Sequence, residues 1–215
     1  MKNRGILLLL FSIWIGVAQA QYDPKALVVL DAMSAKYSKI SSYKAKIKSS
    51  MVNEVDGINE EMNGEITVKN DMYRLKIEEQ EIYNDGKTVW TFLSEINEVN
   101  IDDYYPEDDE ITPSKIYTAY KKGYKYVLIE ETTLNGVKCD VVDLVAENVK
   151  STQFFKIRMF ISQKDRSLIG WTMFEKSGSQ YKYTIENFQE NIKVEDSYFK
   201  FNPAKHPGVE IVDLR

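Results

Sequence analysis

A turn signal at residues 85–86 leads directly into an alternating apolar stretch at residues 88–93. Asp-Gly is a frequent turn dipeptide of β-hairpins, and alternation with a period of two is typical of a strand. In this strand Val89 points to one side and Trp90 to the other, so both faces carry apolar groups. Both faces therefore need a cover, which is a second sheet, a helix or a hydrophobic ligand. The nature of that cover decides both fold and function.

Most of the chain from Tyr43 onward keeps the period of two, with turn residues at 70–71 and 135–136. This pattern predicts ten or eleven consecutive antiparallel strands. Helix signals, each an N-cap residue followed by proline, begin at Asp23-Pro24 and at Thr112-Pro113. The first helix is predicted to end near residue 40. We predict a mainly β protein with helices (α+β), in which a curved antiparallel sheet has helices packed inside it or across it.

The first twenty residues have the pattern of a secretory signal peptide. Lys2 and Arg4 precede an apolar run at residues 6–17, and the small residues Ala18 and Ala20 form a cleavage motif. The apolar run is shorter than the roughly 20 residues that span a bilayer. We predict cleavage after Ala20, export of the chain, and a single domain at residues 21–215.

Composition argues against several classes of function. The chain has a net charge of −5 and no basic stripe, which argues against a nucleic-acid partner. Its one cysteine, Cys139, lies in an apolar alternation and is predicted to be a buried small hydrophobe. Its one histidine, His206, cannot form a histidine-pair zinc motif, and phosphate-binding loops and nucleophile elbows do not occur in the sequence. We predict a protein that is not an enzyme and has no cofactor and no metal.

Two weaker chemical possibilities stay open at this point. Acidic residues crowd the stretch 102–110 and offer oxygen ligands for Ca²⁺, although the spacing of an EF-hand loop does not occur there. Such runs are more often solvated loops. Glycoside hydrolysis needs two carboxylates aimed into one cleft, and the sequence singles out no such pair among 33 acidic residues.

Several motifs follow one another in an order typical of one family. They are the entry helix and strand at residues 30–47, Gly-Glu-Ile-Thr-Val-Lys at 64–69, Asp-Gly-Lys-Thr-Val-Trp at 85–90, Phe-Lys-Phe-Asn-Pro at 199–203 and Pro-Gly-Val-Glu-Ile-Val-Asp at 207–213. Each motif alone is weakly specific. Together, and behind a signal peptide, they resemble the periplasmic lipoprotein-carrier family (LolA).

The resemblance implies a curved, incompletely closed antiparallel β-barrel of about eleven strands, in which helices form a lid over an apolar cavity. Members of the family hold the acyl chains of lipoproteins there and carry them from an inner-membrane release complex to an outer-membrane acceptor. For this chain the resemblance implies acylated lipoproteins as partners, transient contact with membrane complexes, a periplasmic location and a monomer. An envelope-stress sensor or protein-binding scaffold on the same half-barrel is the alternative.

The resemblance and the alternation together suggest candidate site residues. The cavity candidates are Ile47, Ile66, Val68, Leu75, Trp90, Phe92, Met159 and Trp171. The lid candidates are Leu27, Leu30, Tyr37, Ile116, Tyr117 and Tyr120.

The chain departs from the family pattern at two places. The family has the sequence Lys-Arg-Pro, and its arginine helps to hold the lid closed. Residues 69–71 of this chain are Lys-Asn-Asp, which leaves Lys69 as the candidate lid lock. An insertion of Lys205 and His206 before Pro207 is a second departure from the family pattern. Of the two faces of the opening strand, we expect the one with Trp90 to line the cavity.

Overall fold

The computed structural model describes residues 22–105, 115–150 and 152–215. Within these ranges the chain forms one α-helix, three short 3₁₀ helices and twelve strands, against the eleven or so that the sequence predicts. The strands are β1 (Ser42–Asn53), β2 (Ile58–Lys69), β3 (Met72–Ile77), β4 (Gln80–Asn84), β5 (Thr88–Leu93), β6 (Glu98–Asp103), β7 (Tyr124–Leu134), β8 (Val137–Ala146), β9 (Phe154–Ser162), β10 (Leu168–Glu175), β11 (Gln180–Glu190) and β12 (Glu210–Asp213).

All twelve strands belong to one sheet with the order β12-β6-β5-β4-β3-β2-β1-β11-β10-β9-β8-β7. Neighbouring strands are antiparallel, except that β12 runs parallel to β6. The first and last strands of this order, β12 and β7, are not hydrogen-bonded to each other, so the barrel is not closed. This open, curved, mainly antiparallel sheet with helices is the fold class that the sequence predicts.

The tight turns form where the sequence places them. Asn135 and Gly136 join β7 to β8 with φ values of 50° and 78°, the left-handed conformation that a two-residue type I′ turn requires. At the turn before β5, Oδ1 of Asp85 accepts the backbone N–H groups of Lys87 and Thr88. These local contacts fix the register of both hairpins.

Helix α1 (Pro24–Tyr37) begins at the predicted proline. Asp23 is its N-cap, and the side chain of Asp23 accepts the N–H of Lys25. The helix ends at Tyr37, earlier than predicted, and a tighter bond from the N–H of Lys39 to the carbonyl of Lys36 completes the turn.

The second predicted helix is a single short 3₁₀ helix, Ile116–Lys121, which we call the 116–121 helix. Its predicted start at Thr112-Pro113 and the acidic residues of the stretch 106–110 lie outside the described residues. Gly123, which follows this helix, has a φ of +73° that lets the chain turn into β7.

The two faces of strands β3 to β5 have different covers. Leu75 in β3 pairs with Ile82 in β4, and this face contains the apolar cavity described below. Tyr83, the next residue, points to the opposite face, where it pairs with Trp90 of β5. We call the two sides the cavity face and the outer face. Trp90 and Phe92 therefore lie on the outer face, and the expectation that they line the cavity is corrected.

The cover on the outer face is the C-terminal segment (residues 195–209), which includes the 3₁₀ helices Asp196–Phe199 and Pro203–Lys205. Phe201 of this segment packs with its ring centroid 5.4 Å from that of Phe92. The buried cluster consists of Tyr83, Phe92, Val99 and Phe201, with Trp90 and Val209 packed against it. On the Trp90 face of β5, the cover is therefore a segment of the same chain and not a ligand.

Candidate functional site

A cavity of about 170 Å³ lies between the cavity face of the sheet and the 116–121 helix. Its walls come from β1, β2, β3, β10 and β11. Every residue that lines it within the described ranges is uncharged, and most are aliphatic or aromatic. The lining residues are Tyr43, Ala45, Ile47, Ser49, Gly64, Ile66, Leu75, Ile77, Ile116, Tyr117, Trp171, Met173, Tyr183 and Ile185.

Alternation along β1 shows how the sequence separates this cavity from solvent. Tyr43, Ala45 and Ile47 point into the cavity, because every second residue of a strand lies on the same face. Lys44 points to the other side, where its Nζ lies 2.7 Å from a carboxylate oxygen of Glu65 on β2. The same strand therefore supplies an apolar wall and a charged outer surface.

Gly64 keeps one part of the cavity wall free of a side chain. A Cβ atom at this position would lie 2.8 Å from the carbonyl oxygen of Lys76 and 3.0 Å from Cγ1 of Ile77. Such contacts are too short for an ordinary side chain. Only glycine fits between β1 and β3 without displacing backbone at this point.

Two helices cover the cavity side of the sheet, and we call α1 and the 116–121 helix together the lid. Leu30 and Met33 of α1 are fully buried, whereas Val28 on the opposite side of the helix is 67% exposed. Ile116 and Tyr117 of the second helix reach the cavity itself. The apolar stripe of each helix therefore faces the sheet, as the sequence predicts.

Three tyrosines connect the two lid helices and the cavity wall. The rings of Tyr37 and Tyr117 are stacked with centroids 3.5 Å apart, and Tyr43 meets Tyr117 edge to face at 6.2 Å. The backbone N–H of Leu168 donates to the hydroxyl of Tyr37 at 3.1 Å. Burial raises the pKa of Tyr37 to about 12 and the pKa of Tyr117 well above its usual value. All three therefore stay neutral at physiological pH, and the cluster adds no charge to the cavity.

Polar contacts anchor α1 at both ends and near its middle. Oδ2 of Asp23 accepts a backbone N–H of β7 at 3.1 Å. The hydroxyl of Tyr120 in the 116–121 helix donates to Asp31 at 2.5 Å. Near the end of the helix, Nζ of Lys36 lies 2.7 Å from Asp165 in the turn between β9 and β10. These contacts are partly exposed, and hydrogen bonds and ion pairs of this kind typically contribute about 0–1.5 kcal/mol each, so they position the lid more than they stabilise it.

The structure brings together about half of the predicted site residues. Four cavity candidates line the cavity: Ile47, Ile66, Leu75 and Trp171. Two others are buried in the same core without reaching the cavity surface: Val68 and Met159. Among the lid candidates, Ile116 and Tyr117 line the cavity, and the others pack into the core around it: Leu27, Leu30, Tyr37 and Tyr120.

Lys69, the candidate lid lock, makes its described contacts away from the lid. Its Nζ donates to the carbonyl of Val194 at 2.9 Å and to Oδ1 of Asp196 at 2.7 Å. Val194 directly precedes the C-terminal segment, and Asp196 lies at its start. In this structure Lys69 holds that segment, and the tyrosine cluster and the three anchors hold the lid.

Several lining residues were not predicted, although some left a signal in the sequence. Tyr43, Ala45 and Ser49 alternate with Ile47 on one strand and share its face by the period of two. Tyr183 and Ile185 join the wall because β11 pairs with β1, a contact between distant parts of the chain. Hairpin order along the sequence does not predict this pairing.

The cysteine and the possible metal ligands of the described residues are placed as follows. Cys139 is fully buried, and burial raises the pKa of its thiol, so the prediction of a buried small hydrophobe is confirmed. Within the same residues, no three of the histidine, cysteine and acidic side chains are placed to hold a metal ion. None of the helices described has the length and apolar character needed to cross a bilayer.

The fold and this cavity define a class: an open half-barrel whose apolar interior lies beneath a helical lid. The sequence profile of one such family, described as outer membrane lipoprotein carrier protein LolA, matches residues 69–202, more than half of the chain. The chain belongs to this family. No curated protein matches it in sequence.

Solved structures resemble the chain in fold at low sequence identity. An uncharacterized conserved protein from Thermus thermophilus is 12% identical and has a TM-score of 0.57, over 88% of this chain and 99% of its own. A LolA superfamily protein from Nitrosomonas europaea is 11% identical with a TM-score of 0.44, over 82% and 97% of the two chains. Lipoprotein LppX from Mycobacterium tuberculosis is 11% identical and has a TM-score of 0.48, over 80% of this chain and 100% of LppX. The first of these supports the fold and carries no statement about function.

Proposed function

We propose that this chain is an exported carrier that encloses the acyl part of lipoproteins. Its signal peptide is removed after Ala20, and the mature chain works in the periplasm as a monomer. It accepts lipoproteins from an inner-membrane release complex and delivers them to an outer-membrane acceptor, without covalent chemistry. The observation that supports this proposal is the uncharged cavity beneath a helical lid in a chain of the LolA family.

A movable lid would lower the affinity for an acyl chain, which is otherwise too strong for ready release. Each enclosed CH₂ group contributes about 0.8 kcal/mol, so a long acyl chain that is fully enclosed gains roughly 10 kcal/mol. Binding of that strength slows release. A lid whose own apolar residues occupy the cavity in the empty state competes with the ligand and lowers the net affinity. Ile116 and Tyr117, which reach the cavity from the lid, are such residues here.

The size of the cavity supports a lid that moves. At about 170 Å³ it is smaller than the roughly 300–1,000 Å³ of common ligand pockets. An acyl chain therefore has to displace part of the lid to enter. The weak polar anchors of α1 can open at small cost, and the aromatic stack between Tyr37 and Tyr117 is one of the apolar contacts that have to separate.

Native mass spectrometry of the protein isolated from the periplasm tests the proposal directly. We expect a polypeptide mass that begins at Gln21, together with adducts of acyl mass that dissociate on activation. A mass that retains residues 1–20, or a mature chain that never carries or takes up an acyl ligand, contradicts the proposal.

Replacing Ala45 by phenylalanine should block the cavity. Ala45 is 2% exposed and faces the cavity, so the larger ring occupies space that the ligand needs, at a stability cost of about 1–3 kcal/mol. We expect displacement of a fluorescent fatty-acyl probe to require at least about tenfold more ligand, equivalent to 1.4 kcal/mol. Ala35→Phe on the exposed side of α1 is the matched control. Equal probe binding by the two variants argues against this cavity as the acyl site.

Binding of a lipoprotein tail peptide, with and without its acyl groups, distinguishes a carrier from a protein-binding scaffold on the same fold. The carrier binds the acylated peptide and not the same peptide without acyl groups. Equal affinity for both peptides, measured by calorimetry, favours the scaffold.

A further inference from the structure

A second cavity, of about 340 Å³, lies on the outer face between strands β3 and β4 and the C-terminal segment. We call it the outer pocket. It is separated from the acyl cavity by the sheet, because Tyr83 in its wall points away from the face that carries Leu75. Its lining is mostly polar, unlike that of the first cavity. The lining residues are Arg74, Glu81, Tyr83, Ser197, Tyr198, Lys200, Asn202, Lys205 and His206.

Apolar contacts hold the C-terminal segment in place around this pocket. Phe199 is fully buried, and Phe201 packs on Tyr83 and Phe92. The ring of His206 lies near both Phe92 and Phe201, with centroid distances of 4.3 and 4.7 Å. The insertion of Lys205 and His206, which departs from the family pattern, is therefore a fixed part of the pocket wall.

Arg74 has a fixed orientation in the pocket. Its guanidinium carbon lies 4.6 Å from the ring centroid of Tyr83 and 4.8 Å from that of Tyr198. Its Nη2 donates to Glu81 at 2.6 Å. A guanidinium group has five N–H donors, and within the described residues Arg74 makes this one hydrogen bond. The aromatic rings and Glu81 thus orient an arginine that has donor capacity left.

The carboxylate and the amide oxygen in the lining of the pocket are already in use as acceptors. Glu81 accepts from Arg74, from the hydroxyl of Tyr83 at 2.7 Å, and from Lys76 at 3.1 Å. Burial raises the pKa of Glu81, but these hydrogen bonds outweigh that effect and set it at about 2, so the carboxylate stays ionised. Oδ1 of Asn202 accepts the N–H of Ala204 at 3.0 Å. A ligand therefore meets few free acceptors.

The donors of the pocket, in contrast, are available. Among the described residues, the hydroxyl of Ser197, the amide NH₂ of Asn202 and the ammonium group of Lys205 have no hydrogen-bond partner. Lys200 lies 3.4 Å from Asp85 and is still more than half exposed. Three cationic side chains thus oppose one carboxylate in the lining, within a chain whose net charge is −5.

We propose that the outer pocket binds a phosphate group, carried either by a soluble phosphate ester or by a phospholipid headgroup. A phosphate group offers three acceptor oxygens and up to two negative charges. The donors here come from β3 and from both 3₁₀ helices of the C-terminal segment, so they approach such an anion from several directions. An arginine held between aromatic rings suits phosphate because its planar group presents paired donors.

Titration of the mature protein with glycerol 3-phosphate, followed by NMR at constant ionic strength, tests this inference. We expect the backbone amide signals of residues 197–206 to shift in a saturable way. Lys205→Gln removes a charged donor that has no partner in the structure, so we expect about tenfold weaker binding with the fold unchanged. Lys164→Gln, in the exposed turn between β9 and β10, is the charge-matched control and should bind as the wild type does.

Vesicles distinguish the two sources of phosphate. Co-sedimentation with phosphatidylglycerol vesicles that is lost in Lys205→Gln identifies the lipid headgroup, and saturable binding of glycerol 3-phosphate alone identifies a soluble ester. No saturable shift, a shift that sodium chloride reproduces, or equal binding by wild type and Lys205→Gln overturns the proposal.

Uptake of the fluorescent acyl probe should be unchanged in Lys205→Gln, because the cavity proposed for acyl chains is on the other face of the sheet. A negative result for phosphate binding therefore leaves the proposed carrier function untouched.

Discussion

Replacing Tyr117 by alanine is expected to lower the free energy of unfolding by about 3–5 kcal/mol, the range for truncating a buried aromatic residue. Tyr117 is 6% exposed, stacks on Tyr37 and lines the apolar cavity. Its loss removes the aromatic stack between the two lid helices and leaves a larger opening. We therefore also expect faster uptake of a fluorescent acyl probe. Urea unfolding and stopped-flow fluorescence measure the two effects.

Tyr117→Phe separates the role of the ring from that of the hydroxyl. This variant keeps the stacked ring and loses only hydrogen bonds, which contribute about 1 kcal/mol. Its uptake rate should stay close to that of the wild type. If Tyr117→Ala takes up the probe no faster than Tyr117→Phe, the aromatic stack does not hold the lid.

Truncation of Leu30 to alanine should cost about 2–5 kcal/mol, because its fully buried side chain fills the space between α1 and the sheet. Val28→Ala is the matched control on the same helix, since Val28 is 67% exposed and a substitution there should change stability by about 0.5 kcal/mol or less. Denaturant unfolding of both variants gives the comparison. Similar losses in the two would mean that α1 is not packed against the sheet as described.

Hydrogen exchange in Leu30→Ala adds a readout of the lid itself. We expect the amides of α1 to lose protection before those of the central strands, because the lid opens locally when its packing is weakened. Uniform loss of protection over the whole chain would instead assign Leu30 to the global core.

The local features of the fold could be predicted from the sequence. The period of two along residues 43–51 predicted strand β1, and Asp85-Gly86 and Asn135-Gly136 predicted two hairpin turns. Asp23-Pro24 gave the start of α1. The strand, the two turns and the helix start each depend on residues that are neighbours in the chain. Local conformational preference and side-chain alternation determine such features directly.

The long-range contacts could not be predicted in the same way. Trp90 has the pattern of a cavity residue, but Phe201, more than a hundred positions later, belongs to the segment that covers its face. Lys69 has the position of a lid lock, yet its partner Asp196 is equally distant in sequence. Which face of a doubly apolar strand is turned toward the cavity depends on such contacts, and periodicity carries no information about them.

The pairing of β1 with β11, from Tyr43 opposite Glu190 to Val52 opposite Gln180, determines how the molecule unfolds. It joins two runs of consecutive strands, β1 to β6 and β7 to β11, that otherwise resemble independent hairpin arrays. Because β1 is also a wall of the cavity, neither run can complete its apolar core alone. Trp90 lies in one run and Trp171 in the other. In a chain that begins at Gln21, and so lacks Trp14, Trp90→Phe and Trp171→Phe each leave a single reporter of one half. Coincident denaturant transitions are expected from the two, as in all-or-none unfolding, and separate midpoints would show that the halves act as two cooperative units. Loading a ligand between them should therefore protect the entire sheet against unfolding.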